Sequence, residues 1–350
     1  MAYTNIDDPS AHFQTLLWTG NSTDARALTN DGNSDLQPDW VWLKNRNAGY
    51  NHFLQDSSRG NTKVLSSDST AAESTFTNMV ESFDTNGFTI GFDGSQVPNF
   101  NGNTFVAWQW KANGGSTSTD TSGDINSTVQ ANQDAGFSIV TYNPSNTTTR
   151  NIGHGLGVKP DCIIIRNRTR IENWRVWFNV IGQGALTLDG TATYTVNSNL
   201  VNSATSSTFN VGGDFSVNGN YPYVAYCFAE KQGYSKFGKY VGNGNSNGTF
   251  VYTGFKPAFV MIKPNVAGRN WQIIDNTRDP HNAMDRWLQP NLSASEFDGS
   301  TASVYMDFLS NGFKLRTDNV SWNQSSQSII YMAFAESSFV SSQGIPTTAR

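Results

Sequence analysis

The chain has 350 residues, of which 15% are charged and 13% aromatic, with a formal net charge of −5. Such an acidic, charge-poor chain carries no basic field to hold nucleic acid or an anionic membrane. No stretch approaches the roughly 18 consecutive apolar residues of a membrane span, and Met1 to Asp8 lacks a basic region followed by an apolar core, so neither a secretory leader nor membrane insertion is expected.

A polar lead-in, residues 1–11, precedes a first β-rich segment, 12–112. Within it, Asp31-Gly32-Asn33-Ser34-Asp35 sets oxygen ligands at alternate positions, as a calcium loop does. Trp42 stands at the twelfth position, where a bidentate glutamate belongs, so the run reads as a plain turn. Pro38-Asp39-Trp40-Val41-Trp42-Leu43-Lys44 follows and predicts a central strand. A proline at a strand's first position costs no ladder bond, and a run that is apolar on both faces belongs under cover on both sides. Ala71, Phe76, Met79 and Val80 fit one side of a short helix over 70–82. Gly87-Phe88-Thr89-Ile90 and Phe105-Val106-Ala107-Trp108 read as further strands.

Residues 113–135 come next. They open with Asn113-Gly114-Gly115-Ser116-Thr117-Ser118-Thr119-Asp120-Thr121-Ser122-Gly123, which offers nothing to bury and predicts a flexible tether. The text of the first segment then returns twice. Pro160-Asp161-Cys162-Ile163-Ile164-Ile165-Arg166 lies in residues 136–230, and Pro257-Ala258-Phe259-Val260-Met261-Ile262-Lys263 in 233–336. Asn51, Asn173 and Asn270 each stand 13 residues past their proline. Phe88, Phe209 and Phe313 stand 50, 49 and 56 residues past it, and each copy closes on an aromatic strand. Trp108 and Trp110 match Tyr226 and Phe228, and Met332 and Phe334; equal bulk without equal chemistry predicts core packing. Landmarks recurring in one order predict three tandem related domains, all-β, each an antiparallel β-sandwich of jelly-roll or concanavalin-like type. Only Lys231 and Gln232 part the second copy from the third, so these two are expected to move as one body with the first on its tether. Residues 337–350 form a polar tail, which with the lead-in is expected to gain order from a partner.

The four histidines, His12, His52, His154 and His281, recur at no equivalent position. No nucleophile elbow or paired-histidine metal spacing is present, so no enzyme, cofactor or metal site is expected. Cys162 and Cys227 lie in apolar runs and read as buried free thiols; a disulfide between them is the competing reading. Asp56 with Arg59, and Asp275 with Arg278, could tie down a loop as an ion pair or offer a polar pair to a sugar. Trp287 and Trp322 lie in stretches without a counterpart in the other copies and are the candidates for solvent-facing, glycan-stacking or partner-contacting aromatics.

Gly153-His154-Gly155-Leu156-Gly157-Val158-Lys159-Pro160-Asp161, Tyr223-Val224-Ala225-Tyr226-Cys227-Phe228-Ala229-Glu230, Gly233-Tyr234-Ser235-Lys236-Phe237-Gly238 and Thr253-Gly254-Phe255-Lys256-Pro257-Ala258-Phe259-Val260 resemble a repeat family of marine tailed bacteriophages. The likeness runs over about residues 11–350 and is to virion structural proteins of cyanophages and pelagiphages, in or near tail-fibre and surface-protein sets. It implies a non-enzymatic building block of the virion, made in the bacterial host's cytoplasm, that docks on other virion proteins or self-associates. A module binding host-surface glycan for attachment, and a capsid decoration protein, are the alternatives it leaves open. The second copy departs from the pattern, with Asn179-Val180-Ile181-Gly182 where the others carry Asp56-Ser57-Ser58-Arg59 and Asp275-Asn276-Thr277-Arg278.

Overall fold

The structure, a computed structural model, describes residues 3–92 and 98–347. It is built from antiparallel sheets in which one strand order occurs three times. In the first sandwich the inner sheet runs Phe13–Thr19, Thr104–Trp110, Trp40–Asn45, Phe53–Asp56. In the third it runs Ser235–Val241, Ser328–Ser338, Phe255–Pro264, Gln272–Asp275. The second has Phe137–Tyr142, Tyr223–Phe228, Cys162–Asn167 and Arg175–Phe178 in the same order, with extra strands at both edges. Each inner sheet is backed by a three-stranded outer sheet: Arg26–Thr29, Gly87–Ile90, Val80–Asp84; Arg150–Gly153, Thr208–Val211, Val201–Ala204; and Phe250–Tyr252, Gly312–Leu315, Met306–Leu309. The run after each repeated proline is thus a central strand, as its two-sided apolar pattern predicts.

Strand alternation explains why those runs are apolar on both faces. Val41 and Leu43 point into the first sandwich's own core, while Trp40 and Trp42 point the other way. Ile163 and Ile165 likewise fill the second sandwich and Val260 and Ile262 the third. Cys162, Ile164, Phe259 and Met261 join Trp40 and Trp42 in a single shared core where the backs of all three inner sheets meet. Trp110, Phe228 and Phe334 form a triangle there, with ring centroids 6.3, 5.7 and 5.6 Å apart, all in edge-on contact. That geometry lets ring edges meet ring faces, the favourable arrangement of aromatic quadrupoles.

This shared core overturns the picture of two linked copies with the first on a tether. The first sandwich contributes Trp40, Trp42, Trp108 and Trp110 to the same buried cluster as the other two. The predicted tether is itself structured: Ser118–Asp120 pairs with Ser127–Asn132, which pairs with Phe137–Tyr142. Its glycines need no apolar burial because Asp39 satisfies their backbone. The Asp39 carboxylate accepts from the N–H groups of Ala112, Gly114 and Gly115 at 2.7, 2.9 and 2.7 Å. The helix expected over 70–82 is absent; Ser74–Thr75 and Val80–Asp84 are strands. Phe76 packs only partly buried while Met79 and Val80 enter the sandwich core, so strand pairing with Gly87–Ile90 wins over a weak helical pattern.

The described parts of both ends make contacts within this chain. Ile6 is buried in the shared core, the Tyr3 hydroxyl donates to Gly254 O at 2.8 Å, and Asp7 accepts from Ser342 N at 2.7 Å. The strand Ser328–Ser338 carries the third sandwich into the stretch read as a tail, and residues 348–350 of that tail lie outside the described residues.

Candidate functional site

The polar residues singled out in the sequence meet at the seams between sandwiches. At the seam of the first and second, Arg59 Nε lies 2.5 Å from Asp56 Oδ2, and both side chains are wholly buried. Tyr226 of the second sandwich donates its hydroxyl to the same Asp56 oxygen at 2.7 Å. Arg59 Nη1 reaches Glu73 at 2.7 Å, and Glu73 takes both Arg168 Nη2 and Nε, at 2.7 and 2.9 Å. Burial alone would raise the Glu73 carboxyl, but the hydrogen bonds and charge of Arg168 and Arg59 outweigh it and hold it below the ordinary range.

The seam of the third and first repeats this arrangement. Arg278 Nε lies 2.5 Å from Asp275 Oδ2, Trp108 Nε1 donates to that oxygen at 2.9 Å, and Arg278 Nη1 reaches Glu296 at 2.9 Å. Arg46 of the first sandwich closes on Glu296 at 2.9 Å. The seam of the second and third lacks the charges. The strand pairing corrects the sequence alignment by one residue: Phe178 is paired with Cys162 as Asp56 is with Trp40, so Phe178 and Ile181, rather than Asn179 and Gly182, stand where Asp56 and Arg59 do. Together with Tyr194 and Met332 they belong to the shared apolar core. Asn265, in register with Arg46 and Arg168, accepts from Tyr194 N at 2.7 Å.

A ring of side-chain hydrogen bonds links all three seams. Trp174 Nε1 donates to Ser66 O at 2.8 Å, Trp271 Nε1 to Thr187 O at 2.9 Å, and His52 Nε2 lies 3.1 Å from Gln289 O. His52 Nδ1 accepts from Trp42 Nε1 at 3.0 Å, so Nε2 carries the proton and donates. Burial, with Lys44 nearby, keeps this imidazole well below its usual pKa. Lys44 donates to Tyr50 O and Ser293 O, at 2.7 and 3.0 Å, and burial pushes its pKa down to about 8. Its counterpart Lys263, also pushed to about 8 by burial, bonds Pro264 O at 2.8 Å.

The remaining candidates are structural as well. Trp287 and Trp322, expected to face solvent, are 9% and 2% exposed and pack edge-on at 5.4 Å inside the third sandwich. Phe297 stacks on Trp287 at 5.5 Å, so the insertion carrying Trp287 folds back over its own sheet. As a sugar-facing pair, Asp56 with Arg59 and Asp275 with Arg278 are closed off by burial; they are the ion pairs of the seams. Cys162 and Cys227 are free and buried. Ile163 is paired with Cys227, so alternation sends the two thiols to opposite faces, one to the shared core and one to the second sandwich. His154 Nδ1 accepts from Leu156 N at 3.2 Å within its own turn. The run at Asp31 is a turn held by Gln14 Oε1, which accepts from Gly32 N at 3.0 Å. Among the described residues no cluster of three or more His, Cys, Asp or Glu could hold a metal ion, and no helix is long and apolar enough to cross a membrane.

Glu73, Glu296, Arg46 and Arg168 were not singled out in the sequence. A signal existed for the arginines, which both stand eight residues past their repeated proline, whereas neither glutamate sits at a repeated spacing. Neither the curated proteins nor the solved structures provide a match to the chain. Residues 8–338 match the family described as a domain of unknown function (DUF7483).

Proposed function

The chain belongs to the DUF7483 family, and from that premise we propose that it is a structural protein of a bacteriophage virion, a rigid non-enzymatic building block of the tail, tail fibre or particle surface. The observation that carries this reading is the use of the polar side chains. Asp56–Arg59 and Asp275–Arg278 are buried local pairs, and the neighbouring sandwich reaches them through Tyr226 and Arg168 (by way of Glu73) at one seam and through Trp108 and Arg46 (by way of Glu296) at the other. Charged groups held this way lock neighbouring sandwiches in one geometry, since removing either partner strands a buried charge. A rigid block of antiparallel sandwiches packed around one shared core suits a building block of a particle. Fold alone does not specify role, and the resemblance of the repeated strands to marine phage virion proteins supplies the setting.

The test is localisation. Particles of a tailed phage that encodes the chain are purified, their proteins identified by mass spectrometry, and the chain's density located by electron cryomicroscopy. The expected outcome is stoichiometric presence at tail or capsid surface. Abundance in the infected cell with none in the particle would overturn the proposal.

A further inference from the structure

The spacing from the repeated asparagine to the residue whose carbonyl closes the ring is longest in the third sandwich. Gln289 stands 19 residues past Asn270, whereas Ser66 and Thr187 stand 15 and 14 past Asn51 and Asn173. The extra residues fall after Arg278 and include Asn282, whose amide bonds both backbone groups of Phe308, at 2.8 and 2.9 Å. The strand Ser328–Ser338 is also longer than its counterparts Thr104–Trp110 and Tyr223–Phe228. Between these two additions lies an open cavity of about 660 Å³, lined among others by Lys256, Asn282, Leu309, Asn311, Glu336 and Ser337. That volume falls within the range of small-molecule sites, roughly 300–1,000 Å³.

The lining is polar yet uncharged in sum. Lys256 Nζ lies 2.7 Å from Glu336 Oε2, and Asn276 Nδ2 donates to the same oxygen at 2.7 Å. A charged ligand would have to break that pair, whereas a neutral ligand can hydrogen-bond its outer edges. The Asn311 side chain has no hydrogen-bond partner among the described residues, leaving a free donor and acceptor in one plane. Leu309 adds an apolar patch. Planar amides beside an apolar wall match the alternating hydroxyls and C–H face of a sugar ring.

We propose that this cavity of the third sandwich binds a neutral saccharide. Asn282 and Asn311 hydrogen-bond its hydroxyls, the Lys256–Glu336 pair borders it, and Leu309 meets its apolar face. The inference does not rest on the virion reading, since sugar binding by the purified chain is measured without any particle.

The full chain is examined by saturation-transfer NMR with glucose, galactose, N-acetylglucosamine, their β-linked trisaccharides and glucuronate, each at about 10 mM, ample for millimolar affinity. Transfer to at least one neutral sugar is expected. Asn311→Ala, which removes the free amide, and Ser337→Trp, which fills the cavity, are each expected to weaken binding at least tenfold at unchanged Tm. If one variant fails to fold, the other decides. Absence of transfer to every sugar, undiminished transfer in a folded Ser337→Trp, or a preference for glucuronate over the neutral sugars would overturn the proposal.

Discussion

Trp110, Phe228 and Phe334 occupy equivalent places in three strands and touch one another where the three inner sheets meet. Each is at most 2% exposed. Truncating any one to alanine removes a ring from a core that cannot collapse from three sides at once. A loss of about 3–5 kcal/mol of stability is expected for each, read from the denaturant midpoint. Because the rings are in mutual contact, the double variant Trp110→Ala, Phe334→Ala is expected to cost less than the sum of the singles. Strict additivity would count against the triangle. These positions were legible in the sequence as bulk repeated in the three copies, but their meeting point was not, because a strand pattern reports which face is apolar and not what covers it.

At the scale of strands and loops, the seams differ in chemistry and so in response to acid. Glu73 and Glu296 are both held below the ordinary carboxylate range in the folded protein: burial opposes this, but the Arg168 and Arg59 contacts, and the Arg46 and Arg278 contacts, outweigh it. A group with a depressed folded pKa contributes stability above its unfolded value, near ~4.3 for glutamate, and loses it as pH falls through the folded value. Stability is therefore expected to hold from these groups between about pH 5 and 8 and to fall below about pH 4. In the double variant Glu73→Gln, Glu296→Gln the protein is expected to be weaker at pH 7 by about 1–3 kcal/mol per site, with a shallower decline between about pH 5 and 3. Denaturant midpoints across that range test it; an equally steep decline in the variant would locate acid sensitivity elsewhere. The pairs Asp56–Arg59 and Asp275–Arg278 were visible as a three-residue spacing in two copies. Their burial was not, since it comes from a sandwich far away in the chain.

For the whole molecule, one core shared by three sandwiches implies one cooperative unit. Calorimetry is expected to give a single unfolding transition, and residues 12–112 produced alone are expected not to fold, because they would leave Trp40, Trp42, Trp108 and Trp110 exposed together. Two resolved transitions, or a stably folded fragment of residues 136–347 released by limited proteolysis, would contradict this. The linker at 113–123 gave the opposite impression in the sequence. Glycine and serine read as flexible when nothing nearby can bury them, yet Asp39, 73 residues before Ala112, satisfies their backbone donors.

The amino-acid sequence by itself determined that the protein is all-β, where its central strands run, and that the side chains of those strands are core. These follow from periodicity and composition, which act over a few residues. Only the tertiary structure decided that the second apolar face of each inner sheet meets the other two sheets, that Trp287 and Trp322 are interior, and that the polar spacings seal seams rather than face solvent. Each of these depends on surfaces brought together from beyond the reach of a local pattern, and a two-sided apolar strand is equally satisfied by any apolar cover.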